Sequence, residues 1–197
     1  MSSAEILSKL MKSNAGIICT RDALATGVSA PTFLSFVRNQ GLERVAHGVY
    51  AEPGIWIDDL WVLHRRVERL VFSHRTALYL HGIREREPER INVTVPTGYN
   101  ATNLRGDGIE VFSVKKTAFE LGRITVRTPE GNLVPAYDVE RSICDVVRSR
   151  GHLEYHSLIE SLEVYVQRPD KDLNQLVRYA EELRVWRVLK PYLEALL

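Results

Sequence analysis

The sequence predicts an α+β fold in which an N-terminal winged helix-turn-helix, residues 1–52, is followed by a connecting helix, 53–72, and a mixed α/β C-terminal domain, 73–197, that ends in helices. Two helical segments joined by the short turn "GVSA" precede a run, Leu42 to Ala51, that alternates like a small hairpin. Three segments in the middle of the chain alternate or are rich in β-branched residues. Helical patterns dominate from Leu153 to the end. Strands followed by helices are typical of an α+β domain.

Length and composition are those of an ordinary globular protein. The chain has 197 residues, 45% of them hydrophobic and 26% charged, which is enough for one large domain or two small ones. No segment approaches the ~20 consecutive apolar residues of a membrane span. The start, "MSSAEILSKLMKSN", lacks the basic and apolar regions of a secretory signal, so we expect a cytoplasmic protein. Because the net charge is only +1, any DNA-binding surface must come from local clustering.

The first elements follow from apolar spacing and from helix-ending residues. Apolar side chains at helical spacing predict a helix from Ser3 to Ser13, and the sequence from Ile17 to Cys19 predicts a short strand. Thr20 stands where the N-cap of a second helix is expected. Gly27 ends that helix and begins the turn.

The third helix is the predicted recognition helix. Ser29 is its expected N-cap, Pro31 falls in its first turn, and it runs to about Gln40, with Gly41 in the position of a C-terminal cap. Its expected core face consists of Phe33, Leu34 and Val37. Its remaining polar side chains can hydrogen-bond to base edges or phosphates; they are Ser29, Thr32, Ser35, Arg38 and Asn39.

The hairpin after this helix is the predicted wing. The segments "LERVA" and "VYA" alternate around His47 and Gly48, and Arg44 and His47 are expected on the wing, near the DNA backbone. Arg21, at the start of the preceding helix, can hold a phosphate. Residues 1–52 carry only five Lys and Arg against four Asp and Glu. A protein-docking module with a solvated polar face is therefore the alternative interpretation.

The connecting segment begins with "EPGIWIDDL", which contains the helix-starting residues Asp58 and Asp59. The helix is expected to reach Leu70 or Val71. Its polar side carries Arg65, Arg66 and Arg69.

The C-terminal domain shows strands followed by helices. Ser73 is the expected cap of a short helix, "HRTALYLHG", and strand patterns follow in "RINVTVP", "GIEVFSV" and "GRITVRT". Asp138 is the expected N-cap of a helix that runs from Val139 to about Arg150, and "RPDKD" interrupts the final helical stretch.

No histidine has the neighbours that a metal or catalytic site needs. His64, His74 and His81 fall on helical segments without carboxylates or cysteines at metal spacing. His152 and His156 share a helical face but lack the glutamate of an HExxH motif. We therefore expect capping, exposed or hydrogen-bonded core positions for these side chains, with no metal and no cofactor.

Nucleophile signals are equally weak. Cys19 and Cys144 are far apart, which predicts reduced thiols and no disulfide, and Cys144 lies among apolar residues that predict a buried, inert thiol. The motifs GxSxG, Walker A and GxGxxG do not occur. The glutamates of "IREREPER" alternate with arginines, which is typical of a solvated, self-paired run rather than of a Mg²⁺ site. We do not expect an enzyme.

Six stretches, which together span nearly the whole chain, carry a resemblance to a known family: "GLERVAHGVYA", "SHRTALYLHGI", "INVTVPTGYNATNLRGDGIEVFSVKK", "ELG", "TPEGNLVPAYDVERSICDVVRSR" and "LNQLVRYAEELRVWRVLKPYLEALL". In this order they look like the AbiEi family of antitoxins, which belong to type IV toxin-antitoxin systems in bacterial abortive infection, a form of phage defence. The resemblance implies a winged helix-turn-helix that represses the antitoxin's own promoter at inverted repeats. It implies a C-terminal domain that supplies antitoxin activity.

The resemblance also implies partners and contact residues. The partners are double-stranded DNA of the chain's own promoter and an AbiEii-like nucleotidyltransferase toxin, which is counteracted without a stable complex. The weak basicity of residues 1–52 favours two copies acting together on paired half-sites. The DNA-contact candidates are Arg21, Ser29, Thr32, Ser35, Arg38, Asn39, Arg44 and His47.

A tentative antitoxin surface follows from the matching C-terminal positions, namely His74, Thr76, His81, Glu140 and Arg141, with Ser73, Tyr137, Asp138 and Asp145 beside them. Helix caps and ion pairs between helices are the alternative roles for these residues. A plain transcriptional regulator, with an effector or dimerisation domain at its C-terminus, is one alternative function, and a nucleotidyltransferase-like reading frame next to the gene would distinguish it from an antitoxin. A DNA-processing enzyme is the other alternative; the sequence offers no ligands for its metal, and a cleavage assay with Mg²⁺ or Mn²⁺ would test it.

Overall fold

The computed structural model describes residues 1–149 and 155–197, and over these residues the chain forms eleven helices and two β-sheets. The α+β class predicted from the sequence is confirmed. The chain divides into two compact units, Met1–Glu68 and Arg69–Leu197. Within the described residues, no helix is both long and apolar enough to cross a bilayer.

The N-terminal unit combines four helices with a three-stranded sheet. Its elements are α1 Ser3–Ser13, β1 Ile17–Cys19, α2 Thr20–Ala25, α3 Ala30–Asn39, β2 Glu43–Ala46, β3 Val49–Ala51 and α4 Asp59–Arg66. The central strand, β3, pairs antiparallel with both β1 and β2. A capping box starts α1, because Ser2 Oγ accepts from the Glu5 N–H and the Glu5 carboxylate accepts from the Ser2 N–H.

Two apolar clusters hold this unit together. The first lies under the three N-terminal helices and contains Leu7, Met11, Ile18, Ala23, Val28, Phe33, Phe36 and Val37. The second joins the sheet to α4 and contains Ile17, Cys19, Val49, Ala51 and Val62. Burial of Val62 makes α4 part of this unit rather than a separate connection.

Three details differ from the sequence-based expectations for this unit. Cys19, not Thr20, is the N-cap of α2, and the Thr20 N–H instead donates to the Gly48 carbonyl at 2.8 Å. Leu34 is 45% exposed, and Phe36 is buried in the core face of α3. The helix begun at Asp58 ends at Arg66, because Val67 takes an extended conformation.

The C-terminal unit places a five-stranded mixed sheet beside a helical layer. Its elements are β4 Val71–Phe72, α5 His74–Leu80, β5 Asn92–Pro96, α6 Thr102–Gly106, β6 Glu110–Val114, α7 Lys116–Glu120, β7 Arg123–Arg127, β8 Leu133–Tyr137, α8 Val139–Arg148, α9 Tyr155–Gln167, α10 Leu173–Glu182 and α11 Trp186–Leu196. The strand order is β6-β5-β4-β8-β7. The pairs β5–β6 and β4–β8 are parallel, and the pairs β4–β5 and β7–β8 are antiparallel.

The three strands predicted here are confirmed as β5, β6 and β7. Asp138 is confirmed as the N-cap of α8, because its Oδ1 accepts from the Arg141 N–H at 2.8 Å. The elements β4, β8, α6 and α7 are not predicted by the sequence patterns. Ser73 occupies the N-cap position of α5 but makes no capping hydrogen bond. The expected helical boundaries Arg150 and Leu153 lie outside the described residues, as does His152.

Candidate nucleic-acid interface

The outward face of α3 is largely polar, although Leu34 on this helix is 45% exposed. All five side chains expected to face outward, namely Ser29, Thr32, Ser35, Arg38 and Asn39, are exposed. Ser29 Oγ lies 2.8 Å from Thr32 Oγ1 and accepts from the Thr32 N–H at 3.4 Å. Phe33, Phe36 and Val37 are buried on the opposite side. The helix therefore presents hydroxyl, amide and guanidinium groups to solvent from a face fixed by the core.

The turn between β2 and β3 carries a second polar group. Arg44 Nη2 lies 2.9 Å from His47 Nδ1, and Arg44 Nε donates to the Ala46 carbonyl at 3.4 Å. Gly48 has a φ of +70°, in the left-handed region that favours glycine. These contacts orient the guanidinium of Arg44 along the turn, while both Arg44 and His47 remain exposed.

A groove of about 700 Å³ lies among α2, α3, the β2–β3 hairpin and α4. Its cationic lining consists of Arg21, Arg44, Arg65 and Arg66, and His47 lies with them. The N-terminal unit, all of which the structure describes, has seven Lys and Arg and seven Asp and Glu residues. Four of those seven cations line the groove and none of the carboxylates does. The positive charge is thus local although the unit as a whole is neutral.

Two of the groove arginines are held by ion pairs. The Asp22 carboxylate accepts from Arg65 Nη2 and, at 3.4 Å, from Arg21 Nε. Arg21 Nη1 also lies 3.1 Å from Glu68 Oε1. The Arg65 guanidinium stands 5.5 Å from the centroid of the Trp61 ring, in cation–π geometry. These contacts fix where the two guanidinium groups point.

The structure brings together only part of the residue set predicted from the sequence. Arg21, Arg44 and His47 line the groove, whereas the five polar residues of α3 lie outside its lining. Arg65 and Arg66 were not among the predicted contacts. The signal for them was present as a basic polar side of the connecting helix, but a domain boundary placed at residue 52 separated that helix from the hairpin.

A buried thiol also lines this groove. Burial raises the pKa of Cys19, and the charge of Asp22 raises it further. Cys19 is 4% exposed. The thiol is therefore protonated near neutral pH and serves as an apolar wall.

The tentative antitoxin surface is wrong for four of its five residues. His74, Thr76, Glu140 and Arg141 are buried in the C-terminal unit. His81 is half-buried, and its Nε2 lies 2.8 Å from the Tyr137 carbonyl. Polar residues on α5 and α8 face inward because the sheet, α9, α10 and α11 leave little of these helices to solvent. They hold the fold together and cannot meet a partner without unfolding.

Arg141 is the centre of this buried polar network. Its guanidinium has no exposed surface; Nε donates to Asp145 Oδ2 at 3.1 Å, and Nη1 donates to the carbonyls of Ala118 and Leu121. Its Cζ also stands 4.1 Å from the centroid of the Tyr137 ring. Burial raises the pKa of Asp145 to about 6, against the lowering effect of the Arg141 charge. The expected pairing of Arg141 between helices is thus replaced by a pair within α8.

Glu140 joins α8 to other helices. Its Oε1 accepts from the Tyr165 hydroxyl at 3.0 Å and from the Asp172 N–H at 3.1 Å. Asp138 Oδ2 accepts from the Tyr179 hydroxyl at 3.1 Å. Two carboxylates at the start of α8 therefore bind α9 and α10, which is a structural role.

His74 is held in an uncommon conformation. Its φ is +51°, and its ring stacks on Phe112 with centroids 3.6 Å apart. Nδ1 lies 2.9 Å from Ser73 Oγ, which also accepts from Thr94 Oγ1, and Nε2 lies 3.1 Å from Ser149 Oγ. Burial lowers the pKa of His74 well below its usual range, so the ring is neutral. Every polar atom of the imidazole is engaged inside the unit.

No metal site is present among the described residues, where no group of three His, Cys, Asp or Glu side chains has a suitable arrangement. Both cysteines are free and buried. Burial raises the pKa of the Cys144 thiol far above neutrality. His152 lies outside the described residues.

Comparisons with known proteins add the fold and nothing finer. No model of a protein family matches this chain, and no curated protein matches it. The chain is similar to the crystal structure of the RV2827C protein from Mycobacterium tuberculosis, with a TM-score of 0.57 and 16% sequence identity. The similarity covers 91% of this chain and 71% of that one. The two proteins therefore share an α+β fold.

Proposed function

We propose that this chain is a DNA-binding antitoxin of the AbiEi type. Its N-terminal unit is a winged helix-turn-helix that binds inverted repeats in its own promoter and represses transcription. Its C-terminal unit counteracts a nucleotidyltransferase-like toxin without forming a stable complex. DNA binding is argued from the geometry of the N-terminal unit, whereas repression at inverted repeats of the promoter and the antitoxin activity rest on the resemblance of the sequence.

The exposed polar face of α3, followed directly by an arginine-bearing hairpin, is the observation that carries the DNA-binding proposal. The order α1–β1–α2–α3–β2–β3 is that expected of a helix-turn-helix with a wing. With ten residues, α3 is about 15 Å long, and a helix of ordinary diameter fits the major groove of B-DNA. Arg38 and Asn39 supply side chains that read guanine and adenine edges, and Arg44 and His47 reach the backbone from the wing.

The antitoxin half of the proposal uses a different surface from the one the sequence suggested. Because His74, Thr76, Glu140 and Arg141 are buried, the residues that act against the toxin belong to the solvent-facing elements of the C-terminal unit. The edge strand β7 is one such element, since four of its five residues are exposed.

The proposal is tested by measuring binding to the DNA upstream of the gene, against an unrelated duplex of equal length, over a range of salt concentrations. We expect a preference for the upstream duplex that persists as salt rises. A duplex with one half-site should bind more weakly than the full inverted repeat. Equal, salt-sensitive binding to both duplexes would refute a specific repressor and make the N-terminal unit a docking module.

Two substitutions test whether DNA binding and toxin neutralisation belong to different units. Arg38→Ala and Arg44→Ala should weaken binding to the upstream duplex while leaving neutralisation of the toxin in cells intact. Lys12→Ala is the matched control, because Lys12 is an exposed cation on α1 of the same unit and lies outside the groove. An equal loss of DNA binding and toxin neutralisation in either Arg variant would contradict the division of labour.

A further inference from the structure

The groove of the N-terminal unit is lined by arginines of α2 and α4 in addition to the arginine of the hairpin. We infer that α4 is a third DNA-contacting element and that the groove binds the sugar–phosphate backbone of one strand, with Arg65 and Arg66 on its phosphates. The inference rests on the proposed function, since it names the part of the DNA that this surface takes. It assigns a binding role to a helix that lies outside the helix-turn-helix and the wing.

Charge complementarity identifies the occupant as anionic. Arg65 and Arg66 of α4 line the same groove as Arg21 of α2 and Arg44 of the hairpin, and no carboxylate lines it. Arginines from three elements line the one groove, and their positive charges are complementary to the negative charges of successive phosphates along a DNA strand. The salt-dependent part of DNA binding comes from such contacts, whatever the base sequence.

The arginines are oriented before any DNA is present. Asp22 accepts from both Arg65 and Arg21, and the Trp61 ring lies beside the Arg65 guanidinium at 5.5 Å. Side chains that are already ordered lose less conformational entropy on binding. The Arg65 side chain is 27% exposed, so its guanidinium is held yet accessible.

Apolar walls distinguish a nucleic-acid backbone from a free phosphate ion. Leu24 and Leu34 line the groove and are 40% and 45% exposed, and Ala30 lies with them. An inorganic anion would contact the arginines and leave these side chains in water. A DNA strand carries deoxyribose rings between its phosphates, and these rings would cover the two leucines.

The test compares Arg66→Gln and Arg65→Gln with Lys12→Gln, each of which removes one positive charge from the N-terminal unit of the full-length chain. The dependence of log Kd on log salt concentration is measured by fluorescence anisotropy with the upstream duplex. Each Arg variant should lower the slope by about 0.9, the value for one lost phosphate contact, and Lys12→Gln should leave it unchanged. Arg66→Lys retains the charge and should restore most of the slope.

The outcomes separate this inference from the proposed function. Slopes for Arg66→Gln and Arg65→Gln that equal the wild-type slope would overturn the role of α4, even if the wild-type protein binds its promoter specifically. Phosphate contacts carry no sequence information, so the same slopes are read on the unrelated duplex. If the wild-type protein binds both duplexes equally, the proposed repressor is refuted, but the effect of the α4 variants on the salt slope can still be measured. Circular dichroism of each variant, with Arg66→Lys as reference, shows that the unit remains folded.

Discussion

Replacing Arg141 with Met tests whether the buried network around α8 stabilises the C-terminal unit. Met has a similar length but no charge and no donor. The substitution leaves the Asp145 carboxylate buried without its partner and removes the donor to the carbonyls of Ala118 and Leu121. Removing one member of a buried ion pair costs about 3–5 kcal/mol. We expect the free energy of unfolding of this unit to fall by that amount at neutral pH.

The loss should also depend on pH in a defined direction. Burial already raises the pKa of Asp145 to about 6 in the folded state, and removing the Arg141 charge raises this pKa further. A folded-state pKa above the unfolded one means that the folded state holds the proton more tightly, so stability falls as pH rises through the folded pKa. The difference between Arg141→Met and wild type should therefore grow as pH rises above about 6.

Hydrogen exchange followed by mass spectrometry measures this effect, because peptides from α8 report opening of the C-terminal unit and peptides from α1 serve as the internal control. Adding Asp145→Leu to Arg141→Met removes both charges and should recover part of the stability. A loss below about 1 kcal/mol, the worth of one ordinary hydrogen bond, would refute the reasoning, as would a loss independent of pH.

Two further predictions concern backbone geometry and capping. Gly122→Ala should destabilise the C-terminal unit by about 1–3 kcal/mol, since Gly122 has a φ of +71° and a Cβ there would lie 2.7 Å from the Arg141 Cβ; unchanged urea unfolding would contradict this. Ser29→Ala should lower the stability of the N-terminal unit by about 1 kcal/mol, because the Ser29 hydroxyl caps α3, whereas Ser29→Gly should cost only a few tenths. The midpoints of thermal unfolding of Ser29→Ala and Ser29→Gly are compared with that of the wild type. A Ser29→Ala midpoint equal to the other two would show that the cap is dispensable.

Local signals predicted most elements because the deciding contacts are close in sequence. Asp138 was identified as a cap, and the capping bond to Arg141 spans three residues. The alternation of "RINVTVP" was likewise sufficient for β5. The strand β8 was missed because Pro135 lies in its centre, and the two-residue strand β4 is too short to show a period.

The candidate site was harder to predict, because burial depends on packing between distant segments. The resemblance placed His74 and Arg141 on a tentative antitoxin surface, yet Ser149 and Leu121, far away in the sequence, supply their buried partners. The outward-facing residues of α3 could be predicted from the helical period alone, and all of those named are exposed. Arg66 joins the groove only through the tertiary placement of α4.

The packing of α4 determines where the chain can be cut. Val62 and Trp61 lie against Ile17, Val49 and Ala51, so a fragment that stops near residue 52 would uncover an apolar face of the small sheet. Such a fragment would tend to self-associate, and a weak or non-specific DNA-binding result from it would describe the truncation rather than the protein. Expression of the isolated N-terminal unit should extend to Glu68, where the compact unit ends.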